Sequence, residues 1–358
     1  MTNPDRALLE RLTNAAGAPG HESEVRGIVR DALEGIGDFT YDRLGSILCT
    51  REGKHHPRVM LDAHLDEVGF MVQSITEQGL LKFITLGGWW GHVLPAQRVE
   101  VVTETGKVPG IIGSTPPHFL TAEQRSQVQQ PDAMYIDVGA SSREQIAELG
   151  IRIGDTAVPY SRFGELAVPG MLSAKAFDNR CGCGVLCETM QALAASGHPN
   201  TVIGVGAVQE EVGTRGAGTA VAVAEPDVAI VLEGTPADDV PGMSESQAVI
   251  GKGPQIRICD PTALSNRRLV RLVEDIAARE GIEIQLAVRK SGGTDARPIH
   301  VHHHGIPTTV IGVPARFIHT HASIISWHDY CAAVALTTAV VQALDGDAVA
   351  KLVDYGDS

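Results

Sequence analysis

The spacing of apolar positions changes several times along the chain, and each change predicts a different kind of element. Leu8, Leu9 and Leu12 recur at the spacing of a helix, and the same period returns from 25 to 33 after a break at 17–20. From 58 a short apolar run leads into the polar segment 62–69, which is typical of a buried strand that ends in a loop. The chain is therefore predicted to begin with two helices and the first strand of a sheet.

The middle of the chain follows a different pattern. Between about 70 and 160 the apolar residues alternate in short stretches that glycines separate, which predicts a small β-barrel or sandwich. The predicted strands are 80–85, 98–103, 108–113, 134–138 and 156–158.

After 161 strands alternate with helices again, which indicates a mainly parallel sheet covered by helices on both faces. The predicted fold class is thus α/β, with a small β-barrel inserted into it. We expect 1–69 and 162–358 to form the two parts of the α/β domain and 70–161 to form the barrel. The later elements are predicted as helix 178–196, strands 201–208 and 228–232, helix 266–280, strand 282–288, a helix from 296, strand 308–311 and a helix from about 329.

Polar residues suited to metal binding follow the predicted buried strands. Because ligands of open α/β sheets bind beyond the carboxyl ends of the strands, one rim would gather these residues. A single acid or histidine at such a position is more often a loop residue or a helix cap, but recurrence at several strand ends favours a site. The residues concerned are His64, Asp66, Glu210, Glu211, Glu233, the segment 291–295 and His319.

Two divalent ions account for these residues. If one carboxylate bridges, His64, Asp178, Glu211, Glu233 and His319 give three ligands to each ion, and a shared water makes four. Nitrogen and oxygen ligands suit zinc and also cobalt or manganese, so ligand type alone does not fix the metal.

Two further carboxylates adjoin the predicted ligands. Consecutive residues near a strand end point in opposite directions, so one of Glu210 and Glu211 can bind a metal while the other acts as a general base. Asp66 lies two residues beyond His64 and is predicted to orient its imidazole ring.

The segment that begins at Ser291 has two interpretations. A turn from strand to helix favours glycine and an Asp cap for structural reasons alone. The same position suits contact with a ligand, so Gly292, Gly293, Thr294 and Asp295 are predicted substrate-binding residues.

Composition narrows the class of protein. The net charge of −14 argues against a nucleic-acid or anionic-membrane partner, since either needs a basic surface. The chain has no apolar run long enough to span a membrane and no leader pattern at its start. We therefore expect a cytoplasmic protein whose 6 cysteines are reduced thiols.

Five stretches resemble the motifs of metallopeptidase family forty-two, which includes the glutamyl, deblocking and tetrahedral aminopeptidases. They are HLDEVGF (64–70), KAFDNR (175–180), QEEVGTRGA (209–217), SGGTDA (291–296) and PARFIHT (314–320). Between them, GIIGSTPPHFL (110–120) and MYIDVGASS (134–142) are similar to the barrel that this family inserts. The resemblance covers nearly the whole chain.

This resemblance implies an α/β fold of the dinuclear metallopeptidase type and an aminopeptidase that acts on peptides. It implies hydrolysis by a metal-bridging hydroxide, with Asp178 as the bridging ligand, Glu210 as the general base and a homo-oligomer of two to twelve subunits. The implied ligand sets are His64, Asp178 and Glu233 for one ion and Asp178, Glu211 and His319 for the other.

The sequence departs from the family pattern at three places. Glu233 stands where the family usually has Asp, and Phe317 stands where Tyr is common. Thr320 to Ser323 replace the usual Ser-Pro-x-Glu after His319, so the family pattern does not predict the conformation of this loop.

Other functions remain as alternatives. A metal-dependent deacylase or carboxypeptidase would use similar ligands, but its extra domain would more often follow the glutamate pair than precede it. An endoglucanase gains from aromatic platforms, and 3 Trp and 5 Tyr give little support for them. A regulatory metal-binding protein would not need Glu210.

Overall fold

The computed structural model describes residues 4–53 and 56–356. Numbered in chain order, the strands are β1 (Asp38–Tyr41), β2 (Ile47–Arg51), β3 (Arg58–His64), β4 (Gly69–Ile75), β5 (Leu81–Leu86), β6 (Arg98–Thr103), β7 (Gly106–Gly113), β8 (Tyr135–Asp137), β9 (Thr156–Pro159), β10 (Gly164–Glu165), β11 (Met171–Ala174), β12 (Thr201–Ala207), β13 (Val228–Pro236), β14 (Gln255–Cys259), β15 (Gln285–Val288), β16 (Thr308–Arg316) and β17 (Ser323–Ser326). The helices are α1 (Arg6–Asn14), α2 (Ser23–Ala32), α3 (Ala122–Ser126), α4 (Arg143–Glu148), α5 (Phe177–Ser196), α6 (Arg215–Ala224), α7 (Arg267–Glu280), α8 (Ala296–Ile299), α9 (Trp327–Ala343) and α10 (Gly346–Leu352).

The main sheet has eleven strands and is mixed. At its centre β12, β3, β13 and β16 lie side by side and parallel, as expected for strands joined by long crossovers. Antiparallel strands extend both edges, with β2 and β1 on one side and β17, β11 and β10 on the other. The predicted α/β class is confirmed, and the parallel pairing is concentrated in the four central strands.

Alternation along β3 explains how helices cover both faces of the sheet. Val59 and Leu61 belong to an apolar cluster that includes residues of α1, α5 and α9. Met60, between them, belongs to a second cluster with residues of α6 and α8 on the opposite face. Successive side chains of a strand point to opposite faces, so a continuous apolar run is buried against helices on both faces of the sheet.

Helix α5 begins in direct contact with β13, and glycine on each side permits this contact. A Cβ atom at Gly182 would collide with the carbonyl oxygen of Leu232, and one at Gly234 would collide with that of Phe177. The Asn179 side chain also donates a hydrogen bond of 2.8 Å to the Leu232 carbonyl. The close packing places the start of α5 beside the carboxyl half of β13.

The remaining strands close into an antiparallel barrel in the order β4, β5, β8, β7, β6, β9. Phe70, Phe83, Val101 and Ile136 are buried in its interior. Five of these six barrel strands correspond to stretches predicted from the sequence, and β4 was not predicted. The division of the chain at 69/70 and 161/162 stays a prediction.

Several elements were not predicted. Helix α6 is one, because its residues are nearly all small or apolar and give no amphipathic period. Strand β14 was also missed. No single described helix has the length and apolar character to span a membrane, although α9 and α10, bent by 98°, meet that criterion as a pair.

Candidate active site

The structure gathers the predicted ligands at the carboxyl ends of the central strands. His64 is the last residue of β3, Glu211 follows β12, and Glu233 lies within β13 rather than beyond it. His319 is in the loop after β16, and Asp178 is at the beginning of α5. Five segments that are distant in sequence therefore meet at one rim.

Asp178 lies between two groups of possible metal ligands. Its Oδ1 is 3.2 Å from His64 Nε2, and its Oδ2 is 3.4 Å from His319 Nε2. Among the described residues, Asp178 forms one group with His64 and Glu233 and a second with Glu211 and His319, and in each group the candidate atoms lie within 4.8 Å of one another.

The second ring nitrogen of each histidine faces a backbone carbonyl. His64 Nδ1 is 3.2 Å from the carbonyl oxygen of Asp66, and His319 Nδ1 is 2.8 Å from that of Gly88. A carbonyl only accepts hydrogen bonds, so in each neutral ring the proton lies on Nδ1 and the Nε2 lone pair faces carboxylates. Such a pair of acceptors needs a cation between them, and the donor set therefore fits divalent metal ions.

The electrostatics of the cluster lead to the same conclusion. Burial, together with the charge of Asp178, raises the pKa of Glu211 to about 8. Burial also raises the pKa of Glu210 well above its usual value. Burial alone would lower the pKa of His319, but the hydrogen bond to Asp178 and the charge of Glu211 raise this pKa to about 10. The carboxylates thus repel one another, and each histidine pKa rises because these carboxylates attract positive charge, which divalent cations would supply.

Asp66 holds the loop that carries the glutamate pair. Its Oδ1 accepts a hydrogen bond of 2.9 Å from the Glu210 amide, and its Oδ2 accepts one of 3.0 Å from the Glu211 amide. The predicted contact between the Asp66 carboxylate and His64 Nδ1 is longer, at 3.5 Å. The fully buried carboxylate therefore fixes the loop more directly than it fixes the imidazole.

Backbone strain is concentrated around this rim. Ala176, Gln209, Phe317 and His319 have φ values of 55°, 58°, 63° and 55°. Residues with a Cβ adopt this left-handed region at a cost, and such conformations cluster at functional sites. Each lies within two residues of a predicted ligand.

The predicted substrate-binding segment has two parts. Gly292, Gly293 and Thr294 line a cleft of about 330 Å³ that also contains the cluster. Asp295 is fully buried and is not among the residues that line this cleft, so it offers no surface to a ligand. Substrate binding by the other three residues stays a prediction.

Several residues at the site were not found from the sequence. The cleft is also lined by Arg257 and Arg297, and Glu22 contacts the glutamate loop from the N-terminal segment. Asp62 has a local signal, since it is a polar residue inside an apolar run two positions before His64. Glu22 has none, because its partner is 187 positions away.

The chain is similar to one known family and to several named proteins. A family model described as M42 glutamyl aminopeptidase matches residues 45–336. The FrvX protein of Escherichia coli is 39% identical over 350 residues, covering 96% of each chain. The glutamyl aminopeptidase of Lactococcus lactis is 33% identical and covers 97% of this chain and 98% of its own. The lysyl aminopeptidase of Pyrococcus furiosus is 30% identical, with coverage of 95% and 97%.

Solved structures agree with this grouping. A TET aminopeptidase from a marine sediment Thaumarchaeota archaeon has a TM-score of 0.95 at 41% identity, covering 97% of this chain and 98% of its own. The TET1 peptidase of Pyrococcus horikoshii, described as assembling into a tetrahedron or a large octahedral shell, has a TM-score of 0.85 at 31% identity, with coverage of 94% and 99%. A structure from Thermotoga maritima described as an endoglucanase has a TM-score of 0.77 at 28% identity, with coverage of 96% and 99%.

Proposed function

The chain belongs to the M42 glutamyl aminopeptidase family and is a peptidase, and we propose that it releases N-terminal residues with two divalent ions and Glu210 as the general base. The observation that carries this proposal is the position of Asp178. Its two oxygens face two different histidines, each of which has a further carboxylate beside it. A single buried ion would leave one of these groups without a partner.

The proposed ligands are those implied by the resemblance. His64, Asp178 and Glu233 would hold one ion, and Asp178, Glu211 and His319 the other. When bound, the ions would polarise the scissile carbonyl and lower the pKa of water. Zinc fits this donor set, with cobalt or manganese as alternatives.

Glu210 is suited to proton transfer because its carboxylate lies beside His64 of the first ligand group but belongs to neither group. Its Oε2 lies 3.9 Å from His64 Nε2, and its side chain is 13% exposed. In the proposed mechanism this carboxylate takes a proton from the attacking water and passes it to the nitrogen of the leaving amine. Asp66 supports this step because it accepts a hydrogen bond from the Glu210 amide and so fixes the backbone from which the Glu210 side chain extends.

Arginine in the lining of the cleft bears on which N-terminal residues are accepted. The two relatives differ, since one is named a glutamyl and the other a lysyl aminopeptidase. In this chain Arg297 lines the cleft and is exposed, whereas Arg257 lines it but is buried and forms an ion pair of 3.3 Å with Asp260. With the metal-binding carboxylates neutralised by metal, the Arg297 guanidinium favours an acidic side chain over a basic one.

Assembly into a homo-oligomer is a further part of the proposal. Trp90 is 64% exposed and Phe119 is 79% exposed, both on the barrel side of the molecule. Exposed large apolar side chains of this kind are typical of interfaces. The reported assembly of the TET1 peptidase supports the same conclusion.

The decisive experiment measures activity and metal content together. The metal-loaded protein is assayed on aminoacyl p-nitroanilides, on N-blocked peptides with a free carboxyl end and on carboxymethylcellulose. We expect hydrolysis of the aminoacyl substrates only, with two ions per subunit by elemental analysis. Release of C-terminal residues would favour the carboxypeptidase alternative, and cleavage of the cellulose derivative would favour the endoglucanase.

A further inference from the structure

Glu22 is a buried carboxylate in the connection between α1 and α2. It is 3% exposed, and its position before α2 would ordinarily make it a cap for that helix. Its side chain forms no capping bond to α2. Capping therefore does not account for it.

The carboxylate instead contacts the loop that carries the glutamate pair. Its Oε1 accepts hydrogen bonds of 2.6 Å from the Gly20 amide and 3.2 Å from the Gln209 amide. Together with the bonds to Asp66, three successive amides of 209–211 are held by two buried carboxylates. No other segment of the N-terminal region makes a described hydrogen bond to these amides.

Gln209 is the residue of this loop that needs support. Its φ of 58° is left-handed, a conformation that glycine adopts freely and glutamine does not. The turn that follows separates the two side chains, with Glu210 Oε2 3.9 Å from His64 and Glu211 Oε2 3.4 Å from His319. If Gln209 left this left-handed conformation, the side chains of Glu210 and Glu211 would both point in other directions.

We infer that Glu22 is a positioning residue for the reaction, which holds Gln209 in its left-handed conformation and thereby directs Glu210 and Glu211. The inference rests on the proposed function, because it acts through the base and a ligand of that site. It gives the N-terminal segment a part in turnover, although that segment contributes no ligand and no base.

The test uses the metal-loaded enzyme and compares Glu22→Ala with Glu22→Gln. The alanine variant loses the acceptor, so kcat falls on the order of 10-fold to 100-fold while KM stays within about twofold. The glutamine variant keeps an oxygen that both amides can use, so its kcat stays within about threefold of the parent. Glu34→Ala, an exposed glutamate after α2, is the matched control and leaves kcat unchanged.

A double variant identifies the route of the effect. Glycine adopts a positive φ without help, so Gln209→Gly added to Glu22→Ala restores most of the lost kcat. A double variant as slow as Glu22→Ala would overturn the inference, as would an alanine variant with normal kcat or a glutamine variant as slow as alanine. A parent enzyme inactive on every aminoacyl substrate would instead refute the proposed function.

A second pair keeps the inference testable if Glu22→Ala fails to fold. In the parent background Gln209→Val places a β-branched residue at a positive φ, whereas Gln209→Gly removes the strain. We expect a fall in kcat for the valine variant and none for the glycine variant. Equal kcat values for the two would contradict the inference.

Discussion

The rim of the parallel strands and the inserted barrel differ in which side chains they bury. At the rim His64, Asp66 and Glu233 are buried, and the backbone beside them is strained. In the barrel the buried side chains are mostly apolar, and large apolar residues such as Phe119 are exposed instead. Charges are buried where the proposed metal ions would bind, and apolar side chains are exposed where another subunit of the proposed oligomer would cover them.

The barrel nevertheless completes the site through its backbone. The loop after β5 places the Gly88 carbonyl 2.8 Å from His319 Nδ1. Trp89, next in sequence, stacks on Phe70 with ring centroids 4.8 Å apart and donates a hydrogen bond to the Gly69 carbonyl. Trp89 thus packs against the barrel core, whereas its neighbour Trp90 is 64% exposed.

The largest effect is expected from removing the carboxylate that joins the two ligand groups. Asp178→Ala should lower kcat/KM by a factor on the order of 10³ or more, because both ions lose a ligand. Equilibrium dialysis should find both sites weakened, whereas Asp132→Ala in the barrel keeps both ions. A full complement of two tightly bound ions in Asp178→Ala would refute the bridge.

The next largest effect separates chemistry from metal binding at the same rim. Glu210→Gln should lower kcat on the order of 10² or more and leave the metal content intact, since the base is not a ligand. Elemental analysis and steady-state kinetics on one sample decide it. Near-normal turnover with both metals bound would exclude Glu210 as the base.

A smaller difference is expected between the two histidines. The His64 side chain is 2% exposed and that of His319 is 35% exposed, so a chelator should remove the ion held by His319 first. His64→Ala and His319→Ala should each weaken mainly one site. Loss of both ions at the same rate, in the parent and in both variants, would contradict two separable sites.

The smallest effect on turnover is expected from the barrel. Phe119→Ser and Trp90→Ser should reduce the mass measured by light scattering, because they remove exposed apolar contacts, while kcat on a p-nitroanilide stays within about twofold. Ile84→Ser, on an exposed strand position of the same barrel, is the control. A parent protein that is a fully active monomer at micromolar concentration would end the oligomer proposal.

The sequence by itself determined which segments reach the rim. Strand β3 contains the apolar run Val59 to Leu61, and the polar residues at its end and beyond it are local signals that do not depend on distant partners. The same reasoning identified Glu210, Glu211 and His319 as residues beyond strand ends. It failed for α6, because exposed positions such as Ala222 and Val223 are as small or apolar as the buried ones and leave no polar face to detect. It also ended β13 before Glu233, although the strand continues to Pro236.

Only the tertiary structure decided how these residues face one another. Asp178 lies between His64 and His319 because glycines let α5 pack directly against β13. Glu22 contacts Gln209 across 187 positions, and Gly88 contacts His319 across 231. Such pairings follow from the closing of the sheet and the barrel, which involve residues far apart in the chain, whereas a hydrophobic period reports only on its own element.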